Sequence, residues 1–131
     1  MGNTVFAGYV VVFIGSGIGG MLRHCMGRLS LQVLGPGFPY GTLLINIAGS
    51  AAMGLVVGMF ARSPPPGQSL QLFLTTGIIG GFTTFSAFSL DSVNLWARGQ
   101  AAAAIAYALA SVIVSCGALF GMLLLTRAWS D

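Results

Sequence analysis

An all-α integral membrane protein of four spanning helices is the fold predicted by the sequence, on three observations. The chain is 56% hydrophobic and only 5% charged, whereas roughly a quarter of an average soluble domain is charged. Its apolar residues gather into four stretches near the ~20 residues that a helix needs to cross a bilayer. Glycine and proline clusters, which turn the chain, punctuate those stretches. Lysine is absent, so a charged surface for bulk water is missing.

The first stretch, Val5–Leu22, has no basic region before it and no compact cleavage pattern after it. It reads as a retained span rather than a signal peptide. A connection over Arg23–Pro39 follows, carrying Gly35-Pro36-Gly37, and the second span is expected over Tyr40–Phe60. The Arg62–Gln68 segment, with three consecutive prolines, leads to a third span over Leu70–Trp96. A short Ala97–Gln100 link then gives the fourth span, Ala101–Leu125. The whole chain, 1–131, is expected to form a single membrane domain without a soluble part, linker or long-period repeat.

Connections this short make neighbouring spans antiparallel and place both termini on one side. Arg23, Arg28 and Arg98 then lie on one side, Arg62 and Arg127 on the other. Arginine position normally fixes orientation. With the terminal amino group added to the smaller set, the two sides balance, and insertion in both orientations is expected.

Small residues recur four apart at Gly15/Gly19, Gly54/Gly58, Gly77/Gly81 and Gly117/Gly121. Such pairs let helix backbones approach closely in lipid, either within one chain or between copies. Cys25 and Cys116 lack a CxxC or Cys/His cluster and read as small packing residues.

Enzymatic chemistry finds almost no material here. His24, the only histidine, stands beside Arg23 and reads as a headgroup-level residue. Asp91 and Asp131 have no neighbouring carboxylate, and metal-ligand spacings, phosphate loops and nucleophile elbows are absent. The scattered arginines form no basic stripe for nucleic acid. An enzyme and a nucleic-acid binder are both excluded as readings.

The informative segment is Gly80-Gly81-Phe82-Thr83-Thr84-Phe85-Ser86-Ala87-Phe88-Ser89, a polar and aromatic run inside the third apolar stretch. Glycine disfavours a helix interior by about 1 kcal/mol relative to alanine, and Gly77, Gly80 and Gly81 fall within five residues. That clustering predicts a break, with the alternative that the glycines only permit a close helix crossing. A break would free carbonyls from Gly77 to Gly80 and amides after Thr83. Freed carbonyls suit a cation, and the start of the resumed helix suits an anion. Broken backbone at membrane depth survives only inside protein or along a wet cavity.

Phe85 and Phe88, three apart, share a face of the resumed helix, while Phe82 falls within the predicted break. Ring edges carry positive partial charge, and the hydroxyls of Thr84, Ser86 and Ser89 interleave with them. Asn46 is the strongly polar residue of the second span and serves either as interhelical glue or as part of a pathway. Tyr107, Ser111 and Ser115 follow one slowly drifting stripe of the fourth helix. Neutral donors and ring edges favour an anion that moves passively.

These residues resemble the Fluc/CrcB family of small fluoride channels over nearly the whole chain. The resemblance rests on the long run at 80–89, with support from Gly19-Gly20-Met21-Leu22-Arg23 and Gly41-Thr42-Leu43-Leu44-Ile45-Asn46. It implies an antiparallel, dual-topology homodimer in a bacterial cytoplasmic (inner) membrane, exporting fluoride through two pores. On this resemblance Phe85 and Phe88 are the pore phenylalanines and Asn46 the pore amide. Tyr107, Ser111 and Ser115 form a polar track, with Thr84 and Ser86 as further hydroxyls beside the phenylalanines. Arg23 stands near the vestibule, and the carbonyls of Gly80 and Thr83 hold a sodium ion at the dimer centre. Asp91 departs from the family's usual glutamate, and His24 stands where an aromatic is common. The alternative is a small multidrug-type cation exporter, which would need a membrane glutamate in the first helix; Val5–Leu22 has no acidic residue. A structural membrane subunit without transport would leave the hydroxyls clustered at the break without a use.

Overall fold

Four helices long and apolar enough to cross a membrane make up a computed structural model of the chain, Val5–Leu34, Tyr40–Phe60, Gln68–Ala97 and Ala101–Ala128. Residues 2–62 and 66–129 are described, and among them there is no strand. Residues 63–65 and Asp131 lie outside the described residues, and with them Pro64 and Pro65 of the expected proline turn.

Helix α1 spans Gly2–Leu34, twelve residues beyond the expected end at Leu22. Arg23, His24 and Arg28 do not stop a helix; backbone chemistry does. Gly35 takes φ 78°, and its N–H bonds Leu31 O at 3.0 Å. This left-handed cap suits glycine, and Pro36 cannot continue the helix. The connection expected over 23–39 therefore shrinks to the residues after Leu34. Helix α2 spans Tyr40–Phe60, as expected.

The third span is a composite. Helix α3 (Gln68–Leu72) runs into a π-helical segment, Phe73–Ile79, then α4 (Gly80–Phe82). The backbone opens at Thr83 (ψ 158°) and Thr84 (φ −154°, ψ 121°), and α5 (Phe85–Ala97) resumes. The predicted break exists at Thr83, the last residue expected in it, and at Thr84, whereas Gly77, Gly80 and Gly81 stay in helical segments. Phe82 accordingly closes a helical segment instead of lying within the break. Thr84 caps α5, its Oγ1 accepting from Ala87 N–H at 3.2 Å. Helix α5 ends at Gly99 (φ 76°), whose N–H bonds Trp96 O while Gln100 N–H bonds Leu95 O. That pairing is a Schellman motif. Helix α6 spans Ala101–Ala128.

The glycines stay helical because they make close crossings. A Cβ on Gly15 would lie 2.8 Å from Gly77 Cα, and one on Gly81 would lie 2.8 Å from Ser16 Cα. Gly54 and Gly58 meet Leu119 and Thr126 of α6 in the same way. Three of the four small-residue pairs thus pack within the chain. Gly117 and Gly121 meet no neighbour among the described residues.

Helix α2 lies along α6, α1 against the π segment and α4, and α5 against α6. The apolar core is small, formed by Leu95, Ala104 and Tyr107 with Phe38, Leu43, Phe88 and Ala103 around them. Large apolar side chains such as Phe6, Phe13 and Val33 face outward, as lipid permits.

Candidate ion pathway

Two cavities meet at the break. The first, a vestibule of about 370 Å³, is lined by Arg23, Thr42, Thr84, Asp91, Asn94 and Arg98 among others. Two arginines against one aspartate give its wall a positive balance, which concentrates anions. The second, a groove of about 530 Å³, is lined by Asn46, Ser50, Thr84, Phe85, Phe88, Ser111 and Ser115 among others. Thr84 belongs to both.

An aromatic ladder runs alongside. Phe85 and Phe88 have ring centroids 5.4 Å apart, and Phe88 stands 5.4 Å from Tyr107. Tyr107 meets Phe38 edge-on at 5.5 Å, and Phe38 meets Tyr40 at 4.8 Å. The first two rings line the groove, and the last two line the vestibule. Tyr107 stands between them, fully buried. The expected facing of Phe85 and Phe88 holds because three residues on a helix return to one side.

The serines of α6 carry the clearest chemical signal. Ser111 Oγ and Ser115 Oγ are buried, and neither has a hydrogen-bond partner among the described residues. A buried hydroxyl left unpaired costs about 1–3 kcal/mol. Several helical hydroxyls in this chain bond their own backbone, among them Ser89 to Phe85 O, Ser92 to Phe88 O and Thr83 to Ile79 O. Ser111 and Ser115 make no such bond, and both residues line the groove.

Tyr107 differs from its two companions on the stripe. Its ring belongs to the core, and its hydroxyl donates to Asp91 Oδ2 at 3.3 Å. Thr84 Oγ1 and Ser86 Oγ lie 3.2 Å apart, so these two hydroxyls share one bond.

Asn46 turns its amide toward the break. Its Oδ1 accepts from Thr84 N–H at 2.8 Å, and its Nδ2 donates to Thr84 O at 3.0 Å. Both interhelical glue and groove lining therefore describe it. Arg23 Nη1 donates to Thr83 O at 3.4 Å and lines the vestibule. Gly80, the other expected carbonyl donor, is exposed on the single chain. His24 is exposed and borders neither cavity.

Ser50 and Arg98 escaped the sequence reading. Ser50 follows Asn46 by four residues, so α2 periodicity alone puts it on the same face. Arg98 sits just past α5, where its Nε donates to Asn94 O at 3.2 Å. Its place in the vestibule depends on how the α5–α6 turn folds back, which spacing does not show.

The sequence profile of the CrcB-like family (camphor resistance) matches residues 10–123. The chain belongs to the CrcB-like family. Among its relatives, the fluoride-specific ion channel FluC of Rhodopseudomonas palustris (strain BisB5) is 48% identical over 120 residues, covering 92% of this chain and 97% of that protein. The protein of the same name from Granulibacter bethesdensis is 51% identical over 119 residues, covering 91% and 94%. A third from Methylobacterium nodulans reaches 56% over 103 residues, covering 79% and 82%. Every residue that lines either cavity of this CrcB-like chain lies within the matched span.

Proposed function

We propose that the protein is a passive, fluoride-selective channel of a bacterial inner membrane, exporting fluoride to relieve its toxicity. The observation that carries this reading is the groove, lined by Phe85, Phe88, Ser111 and Ser115, the two serines carrying buried and unpartnered hydroxyls. Fluoride is small and strongly hydrated, so many close donors must replace its water. Hydroxyls and ring edges supply them without a fixed charge that would trap the ion. Relatives about half identical over nearly the whole chain, each named a fluoride-specific ion channel, support the same reading. A multidrug-type exporter is not favoured, because Val5–Leu22 supplies no carboxylate.

The working unit is an antiparallel homodimer with two pores. Phe85 is 77% exposed at the side of an open groove, and a second copy would enclose both. Each pore then runs from the vestibule, past Arg23, Thr84 and Tyr107, along Asn46, Phe85, Phe88, Ser111 and Ser115, with Ser86 beside it. Gly80 and Thr83 carbonyls of the two copies would together hold a structural sodium ion. Two carbonyls are too few to replace the hydration of a cation, whereas a two-fold axis doubles the set. A carbonyl-bound cation there would favour an anion nearby.

The test is fluoride efflux from protein-loaded liposomes, followed with a fluoride electrode and compared with chloride and a lipophilic cation. Fluoride efflux far above both is expected. Chloride moving as fast as fluoride overturns selectivity, and coupled movement of the cation overturns the channel.

A further inference from the structure

We infer that Asn46 is a positioning residue, whose side chain builds the cation seat by diverting the amide that would otherwise occupy it. The inference rests on the dimeric channel reading above, with its cation at the break.

In a continuous helix each carbonyl accepts from the N–H four residues on. Gly80 O would take Thr84 N–H, and Thr83 O would take Ala87 N–H. Neither bond forms. Thr84 N–H goes to Asn46 Oδ1 at 2.8 Å, and Ala87 N–H goes to Thr84 Oγ1 at 3.2 Å. The two carbonyls expected to face the cation are thus the two whose backbone donors have been redirected. The neighbouring carbonyl, Ile79 O, keeps its usual partner, Thr83 N–H, at 3.0 Å. Gly81 O and Phe82 O also lack their helical donors, the Phe85 and Ser86 N–H groups, because the backbone is extended at Thr83 and Thr84. Only at Gly80 and Thr83 does a side chain hold the donor that would close the bond.

Asn46 does more than accept. Its Nδ2 holds Thr84 O at 3.0 Å, so the amide grips both polar groups of one peptide-bearing residue. That grip fixes Thr84 in its extended conformation and keeps its N–H from returning to Gly80. The donor set fits a cation: Gly80 is exposed toward the outside of the chain, and Thr83 O has a second lone pair beyond the one that Arg23 meets at 3.4 Å. Arg23 holds this carbonyl from the vestibule side. Asn46 acts from α2, across the chain, and takes no place among the cation's ligands.

A group that only lines the anion path and a group that builds the seat respond differently to two substitutions. Asn46→Leu removes both bonds at similar volume. Asn46→Asp keeps an acceptor for Thr84 N–H and places a negative charge on the anion path. The measurement is thermal melting of the full-length protein in sodium chloride against N-methylglucamine chloride, beside fluoride efflux. A ligand bound only by the folded dimer raises its melting temperature. The wild type should melt higher in sodium, Asn46→Leu should lose most of that increment, and Asn46→Asp, which keeps one of the two bonds, should keep part of it while losing most of the efflux. An unchanged increment in Asn46→Leu overturns the inference and leaves the channel reading standing. No sodium increment in the wild type overturns the seat itself, and this inference with it. If Asn46→Leu does not fold, Asn46→Ala, which also removes both bonds, takes its place: an unchanged increment overturns the inference. Ser111→Ala, which touches no bond at the break, should lower efflux and keep the increment.

Discussion

Phe85 and Phe88 sit side by side on the groove wall but have different surroundings, and their substitutions should separate accordingly. Phe85 is 77% exposed on the single chain, whereas Phe88 packs on Tyr107 within the ladder. Phe85→Ile and Phe88→Ile should each lower fluoride efflux by about ten-fold or more, because an aliphatic chain offers no positive ring edge. Assembly should persist in both by size-exclusion chromatography, with Phe88→Ile also lowering thermal stability. Unchanged efflux would remove the rings from the pathway. The Tyr107–Asp91 bond allows a second prediction at this scale. A hydrogen bond to a charged group contributes about 1.5–3 kcal/mol. Tyr107→Phe leaves the carboxylate without that donor, beside a path that must carry anions, so efflux should fall several-fold. Asp91→Asn in the same protein should restore part of the loss. An additive double mutant would show that the two residues act independently.

Helix crossings set which glycines can change. Gly15→Ala pushes a methyl into Gly77 and Phe73 backbone, and Gly54→Ala pushes one into Leu119 backbone. Each should destabilise the fold by about 1–3 kcal/mol, seen as a lower melting temperature. Gly20 faces open space, so Gly20→Ala should be neutral or stabilising. Equal effects at all three would refute the crossing geometry. The same crossings explain where element boundaries were legible. Tyr40–Phe60 is legible because proline and a short connection frame a run that is apolar apart from Thr42, Asn46 and Ser50. The end of α1 is not legible from charge, because Arg23 and Arg28 continue the helix and Gly35 with Pro36 ends it. The break is legible at Thr83, but the glycines before it stay helical. Glycine's poor helix propensity is outweighed where Gly77 and Gly81 let two backbones touch. Ser111 and Ser115 were legible from their four-residue spacing. The Asn46–Thr84 and Tyr107–Asp91 bonds join residues 38 and 16 apart on different helices, a distance no periodicity spans.

Orientation in the membrane belongs to the whole molecule. Helix order puts Arg28 and Arg98 toward one end of the bundle, with Arg23 inward of them beside the break, and Arg62 and Arg127 at the other end. Arg62 is also tied down, donating to Thr126 O, and so fastens the α2 end to the α6 end. A balance this close leaves the positive-inside signal weak, and an antiparallel dimer requires that weakness, since one orientation alone supplies half of each partnership. Two exposed substitutions at each end can break the balance without entering either cavity. Ala61→Arg with Ala128→Arg should hold the termini in the cytoplasm, and Gly37→Arg with Gln100→Arg should hold them outside. Gly37 lines neither cavity and has open space around it, and Gln100 is exposed before α6. Each variant expressed alone should insert one way, by labelling of a terminal tag, and should lose nearly all fluoride efflux. Expressed together, the two should recover it, because the mixture again contains both orientations. Full efflux from a variant proven to insert one way would exclude the antiparallel dimer, whatever its effect on yield.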